Sequence, residues 1–319
     1  DFTEYIYPAT MHQTMLFFTR KGRCYWLKCY EIPEGDKNFK GRAIQNMLNI
    51  ESDDSVNALL RLRGLNDEEF VKSHYVVFAT KNGTVKKTCL EAYSRPRANG
   101  VNAINILDGD EVVDVRLTNG KNEIILANRN GRAVRFDENA VRSMGRVSTG
   151  VRGMQLDGDD DQVVGMIIVN NADTETVMVV SENGYGKRSQ VEDYRKTNRG
   201  GKGVKTFSIT EKTGRLVAIK NVTDDNDLMI INKSGIAIRL AVSDCRVMGR
   251  ATQGVRLINL SKKNDVIASV CKVMSSELEA KLADDQNTTG EQDADAVQPV
   301  ADNAQNTDST EQANTTEQE

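Results

Sequence analysis

Short apolar runs, with no long amphipathic stretch, organise this chain. Val76 to Ala79, Glu123 to Ala127 and Val163 to Ile168 are strand-length, and the first two lead directly into turns. Elsewhere apolar and polar positions alternate, as in Val151-Arg152-Gly153-Met154-Gln155-Leu156 and Val255-Arg256-Leu257-Ile258-Asn259-Leu260. Period-two patterning over such short segments predicts half-buried strands rather than helices. The turns have hairpin chemistry: Asn82-Gly83, Asn130-Gly131 and Asn183-Gly184 suit type I′ turns, whose two central residues need positive φ. Lys21-Gly22 and Ser234-Gly235 fill the same slot with weaker signals.

These elements recur. The turn glycines Gly22, Gly83, Gly131, Gly184 and Gly235 are followed by a second series, Gly41, Gly100, Gly150, Gly203 and Gly254, 19 residues later in four copies and 17 in the second. Successive copies start 61, 48, 53 and 51 residues apart, a period that suits a propeller-like array. Four short strands per copy predict an all-β array of four-stranded blades. The repeats fall at about 11–73, 74–121, 122–175, 176–226 and 227–273. Asp110 precedes Gly131 by the same 21 residues as Asp1 precedes Gly22, so residues 1–10 read as the end of a preceding blade.

Charge divides the 319 residues unequally. From Met274 onwards there are twelve acidic residues and one basic residue, Lys281, whereas the remainder carries 41 basic and 34 acidic residues. The segment 274–319 has too few apolar groups to offset its ordering entropy, and its composition predicts a disordered acidic tail. Such a tail acts either as a solubilising extension or as a competitor with a polyanion for the basic body. Elsewhere no apolar run approaches the roughly 20 residues of a membrane-spanning helix. Cys24, Cys29, Cys89, Cys245 and Cys271 lack metal-ligand spacing and read as core residues in a reducing cytosol. His12 and His74 offer little to a metal site or a catalytic triad.

The basic residues recur in register. Four positions after the turn glycine stand Lys87, Arg135, Arg188 and Arg239, with Trp26 in the first copy. Four positions before the second glycine stand Lys37, Arg146, Arg199 and Arg250, and two after it Arg152, Lys205 and Arg256. The paired segments starting at Val141 and Cys245 are identical at eight of sixteen positions, Arg142 and Arg246 among them. Equivalent positions on successive blades would form a belt of positive charge that tracks a nucleic-acid backbone without reading its sequence. Protection of strand edges would also select such cations. The loop Asn198-Arg199-Gly200-Gly201-Lys202-Gly203 lacks the spacing of a phosphate-binding loop, but its amides could approach phosphates closely. It could equally be a tight loop between blades.

The run Phe136-Asp137-Glu138-Asn139-Ala140-Val141-Arg142-Ser143-Met144-Gly145-Arg146, followed by Thr149-Gly150-Val151-Arg152-Gly153, resembles the C-terminal domain of the DNA gyrase A protein. So do Glu182 to Arg188 and Ala79 to Thr88, and the resemblance spans residues 1 to about 273. It implies a β-pinwheel whose blades exchange strands and whose basic perimeter bends duplex DNA, enabling an ATP-dependent holoenzyme to introduce negative supercoils. Catalytic residues, ATP and Mg2+ would belong to other domains, and no cofactor or metal is implied here. The implied partners are duplex DNA, the gyrase B protein and a second gyrase A protein, joined through an N-terminal region, in the cytoplasm at the nucleoid and not at a membrane. The family's signature heptapeptide, Gln-Arg-Arg-Gly-Gly-Lys-Gly, lies in its first blade; here Thr197 to Gly203 matches five of seven positions, in the fourth copy. A signature blade upstream of Asp1 would account for this. The corresponding domain of topoisomerase IV is an alternative, as is a protein-interaction propeller, although no Trp-Asp signature recurs.

Overall fold

Residues 9–36, 39–260 and 265–275 are described by the computed structural model. In chain order the strands are β1 (Thr14–Thr19), β2 (Arg23–Lys28), β3 (Val56–Leu62), β4 (Tyr75–Thr80), β5 (Thr84–Cys89), β6 (Val101–Asn102), β7 (Val112–Thr118), β8 (Glu123–Asn128), β9 (Arg132–Asp137) and β10 (Val151–Arg152). They continue as β11 (Val163–Val169), β12 (Thr176–Ser181), β13 (Tyr185–Gln190), β14 (Val204–Lys205), β15 (Leu216–Val222), β16 (Asn226–Asn232), β17 (Ala237–Ala241), β18 (Val255–Arg256) and β19 (Ile267–Met274). One short helix, α1 (Glu68–Ser73), stands among them, started by Asp67, whose side chain accepts from the Phe70 amide. The expectations for residues 1–8, for Lys37 and for the acidic segment after Ser275 lie outside the described residues.

Each predicted hairpin forms, with its Gly at the turn. The sheets, however, do not coincide with the sequence repeats. Their orders are β3-β1-β2-β6, β10-β5-β4-β7, β11-β8-β9-β14, β15-β12-β13-β18 and β17-β16-β19. Every short strand therefore leaves its own copy and pairs antiparallel with the hairpin of the copy before, as Val204 and Lys205 do with Ala133 and Arg132. This is the strand exchange that the resemblance implies. It also leaves the last sheet with three strands among the described residues, where four were expected, since no strand among the described residues follows β19 to lend β17 a partner.

Exchange explains both glycine series. The Gly131 carbonyl accepts from the amides of Thr206 and Phe207 in the next copy. A Cβ on Gly131 would lie 2.7 Å from the Phe207 carbonyl oxygen, at a φ of 79°. Gly203, the second glycine of that next copy, closes the same joint from the other side, since its Cβ would meet the Ala133 carbonyl. Gly41, with no earlier blade beside it among the described residues, meets nothing within 4 Å.

The cores lie between sheets. Val77 and Ala79 pack with Ile124 and Leu126, and Ile125 and Ala127 with Val177 and Val179, so the first strand of each hairpin is buried on both faces. That explains its uninterrupted apolar run. Phe18 and Phe78 meet edge to face, 5.3 Å apart, across the first two blades. The third strands β3, β7, β11, β15 and β19 all line one cavity of about 250 Å³.

Candidate nucleic-acid interface

After each hairpin but the first the chain forms a one-turn 3-10 helix, then a loop, then the exchanged strand. The turns are Leu90–Tyr93, Glu138–Ala140, Val191–Asp193 and Val242–Asp244. These straps are hydrogen-bonded to one another in sequence. Asn105 donates its amide to the Ser148 carbonyl, Gln155 to Gly201, and Ser208 to Thr252, at 3.1, 3.0 and 3.1 Å. Four straps thus form a continuous belt over the blade joints, and they carry the cations that flank the second glycine of each copy.

The series following the turn glycine is placed elsewhere, which corrects the expectation of an outward rim. Lys87 is buried and pairs at 2.9 Å with Glu138 of the next strap, itself fully buried. Arg135 pairs with Glu123 and donates to the carbonyls of Val191 and Tyr194, at 2.9 and 3.1 Å. Arg188, also buried, donates to the carbonyls of Val242 and Cys245 and to Asp224. Trp26, the apparent exception, does the same through its indole N–H, which donates to the Tyr93 carbonyl at 3.0 Å. The slot therefore calls for a long side chain with an N–H that ties the next strap's 3-10 turn to the hairpin, and where that side chain is a cation it also pairs with a carboxylate. Arg239, beyond which no strap lies among the described residues, is exposed, pairs with Asp227 at 2.6 Å and donates to the Met274 carbonyl at 2.8 Å.

The strap cations behave differently. Arg142, Arg152, Lys202, Lys205, Arg246 and Arg256 are exposed, and Arg146, Arg199 and Arg250 are half-buried. Arg199 spends its guanidinium on the carbonyls of Ala140 and Arg152, and Arg250 on that of Lys205, so both fasten one strap to the previous one. Arg256 rests against Tyr185, donating to its hydroxyl. Lys202 makes an ion pair with Asp157 at 2.9 Å, and that lysine holds the Asp157 carboxyl below its usual range.

Within the loop from Asn198 to Gly203, Gly200 and Gly203 adopt φ of 82° and 72°. The Gly200 amide is taken up by the Gly153 carbonyl at 2.7 Å, which removes one of the donors that a phosphate could have used. The loop is part of a blade joint between successive copies. It also borders a cavity of about 510 Å³ with Arg135 and Arg195.

Three further exposed arginines lie on the straps outside the two flanking series: Arg95, Arg97 and Arg195. Arg195 was signalled, since it precedes Gly203 by the eight residues that separate Arg142 from Gly150 and Arg246 from Gly254. The shorter second copy hides Arg95 and Arg97 from that count.

Beneath the belt lie two buried lysines. Lys86 donates to the carbonyls of Ala103 and Arg146, and Lys187 to the Gly249 carbonyl and the Ser189 hydroxyl. Burial pulls both down to about 7, with help from nearby Arg146 and Arg250 respectively, while Asp193 opposes the shift at Lys187. All five cysteines are free, and Cys24, Cys245 and Cys271 are buried. Among the described residues no cluster of side chains is suited to a metal ion, and no helix is long and apolar enough to cross a membrane.

Strand-exchanged sheets around a shared axis, belted by cationic straps, define a propeller-like all-β domain. The profile of the family described as "DNA gyrase C-terminal domain, beta-propeller" matches residues 13–63, 74–119, 122–170, 175–223 and 226–271, and the chain belongs to that family. It is 41% identical over 289 residues to the DNA gyrase A protein of Staphylococcus aureus, covering 91% of this chain and 32% of that protein. The chain thus spans about a third of the length of the curated relatives it matches. Among solved structures it is similar to the C-terminal domain of DNA topoisomerase IV, with a TM-score of 0.75 and 27% identity over 88% of this chain and 84% of that one. The DNA gyrase A C-terminal domain shares the fold at a TM-score of 0.72 and 23% identity, over 83% of this chain and 84% of that one.

Proposed function

We propose that this domain binds duplex DNA along the strap belt and bends it, as the DNA-wrapping module of a gyrase A protein. The observation that carries the reading is the recurrence of Arg142, Arg195 and Arg246 on successive hydrogen-bonded straps, exposed and without an ion pair among the described residues. Guanidinium groups so spaced suit phosphate oxygens, and contacts of this kind position DNA without reading bases. Bending a site of about 20–30 base pairs by 40–90° costs roughly 1–6 kcal/mol, which counterion release from several phosphates offsets.

In this reading the chain supplies no reacting group. DNA cleavage, ATP, Mg2+ and the contacts with the gyrase B protein and a second gyrase A protein belong to the rest of the parent enzyme, in the cytoplasm at the nucleoid. Relaxed circular DNA bound by the chain and then treated with a nicking-closing enzyme tests it. A linking-number shift that grows with protein is expected, and no shift despite tight binding would overturn the wrapping claim. The same assay, with the domain joined to a full gyrase A protein and supplied with gyrase B, separates gyrase-type supercoiling from the decatenation favoured by a topoisomerase IV partner.

A further inference from the structure

The strands around the axis can be compared level by level. Each leaves its ladder with the first hairpin strand through an irregularity at the same point, so Val56, Val112, Val163, Leu216 and Ile267 are equivalent. Four residues further on stand Leu60, Arg116, Ile167, Lys220 and Cys271, and five further on Arg61, Leu117, Ile168, Asn221 and Lys272. Positive charge is thus gathered toward one end of the axis. Arg116, Lys220 and Lys272 line the axial cavity, and Asp114 is the one carboxylate among the described residues of its wall.

The wall is furnished for a ligand in two further respects. Ser269 presents a buried hydroxyl with no hydrogen-bond partner among the described residues. Lys272 stands exposed at the mouth, its ammonium donating to the Asn221 carbonyl at 2.9 Å. Burial, then the adjacent Arg116, pulls Lys220 below the ordinary lysine range, against the opposing influence of Asp114 and Cys271. Asp114 is already paired with Arg116 at 3.1 Å, so this one carboxylate of the wall stands against three cations in a single polar space.

We propose that this axial cavity is a binding site for a small multivalent oxyanion of the phosphate class, held by Arg116, Lys220, Lys272 and the Ser269 hydroxyl. A dianion there relieves the repulsion among the cations and accepts charge-assisted hydrogen bonds from each. The site is separate from the belt, because a cavity of about 250 Å³ between strands admits no duplex. It therefore stands whether or not the straps bind DNA.

Calorimetric titration of the 319-residue chain with inorganic phosphate at constant ionic strength, against chloride, tests it. One saturable phosphate per chain is expected, weakened about tenfold or more by Lys220→Met and by Lys272→Gln. The triple variant Arg142→Gln, Arg195→Gln, Arg246→Gln should bind phosphate as before. Lys272→Gln changes an exposed side chain, so it decides the matter even if Lys220→Met fails to fold. Absence of saturable binding, unchanged affinity in Lys272→Gln, or loss of binding in the triple variant instead would each overturn the proposal.

Discussion

Removing charge from the belt without touching its joints should change how DNA binding responds to salt. Arg142, Arg195 and Arg246 are exposed, occupy equivalent places on three successive straps, and make no ion pair among the described residues. Each phosphate contact contributes about −0.9 to the slope of log K against log salt on duplex DNA. The triple Gln variant should therefore flatten the slope by about 2.7, which at 0.1 M salt corresponds to roughly 500-fold weaker binding. With Arg95, Arg97, Arg152, Lys202, Lys205 and Arg256 also engaged, the intact domain would show a slope of about −8. Fluorescence anisotropy with a labelled duplex of about 30 base pairs, between 50 and 200 mM salt, measures both quantities. Lys87→Met is the matched control, since it removes a charge of the same sign from a buried clasp. An unchanged slope in the triple variant, or an equal change in Lys87→Met, would refute the assignment of DNA contacts to the straps.

Three other outcomes follow from the joints themselves. Lys87→Met leaves Glu138 buried beside Thr118 and the Asn122 amide with no cation; urea denaturation should show a loss of about 3–5 kcal/mol. Gly131→Ala should lower stability by more than Gly41→Ala under the same assay. Both incur about 1–2 kcal/mol from the left-handed backbone, but only the former drives a Cβ into the next copy's Phe207 carbonyl. Lys86 and Lys187 are held at about 7 against an ordinary 10.5. Between those values the unfolded chain binds more protons, so stability should rise with pH across that window and fall as pH drops toward 7. Denaturation midpoints measured across that range should lose much of this slope in the double Lys→Met variant.

The hairpins were legible because their determinants are local: an apolar run, a turn glycine and a second alternating strand. Sheet membership was not, since the exchanged strands are two residues long and pair with a hairpin about 70 residues earlier, as Lys205 does with Arg132. The cation slot four residues after the turn glycine misled because recurrence shows that a position matters, without saying which groups it faces. Trp26 was the informative member. A tryptophan shares N–H donation with Lys and Arg and shares no charge with them, which fits a role in holding carbonyls. Another recurrence places Asp54, Asp110, Asp161 and Asp265 just before the axial strands. Asp161 shows its purpose, accepting from the amides of Asn130, Gln162 and Asp157 and so pinning hairpin turn to axial strand.

Exchange also bears on how the belt could act on DNA. Because each strap is anchored on the blade before it, by Arg199 to Arg152 and by Arg250 to Lys205, the spacing of exposed cations is set by the joints and not by the flexibility of single loops. A belt of freely moving lysines would neutralise DNA yet impose no path on it. Fixed spacing is what allows a series of phosphate contacts to be converted into a defined bend, since deformation is sustained only where the contacts cannot follow the DNA instead. Loosening one joint while keeping every charge should therefore reduce bending before it reduces affinity. Arg250→Lys, which keeps the charge and removes the planar donor set that reaches the Lys205 carbonyl, is the variant that separates the two. Unchanged bending angle by fluorescence energy transfer across a doubly labelled duplex, at unchanged affinity, would count against joint rigidity as the source of the bend.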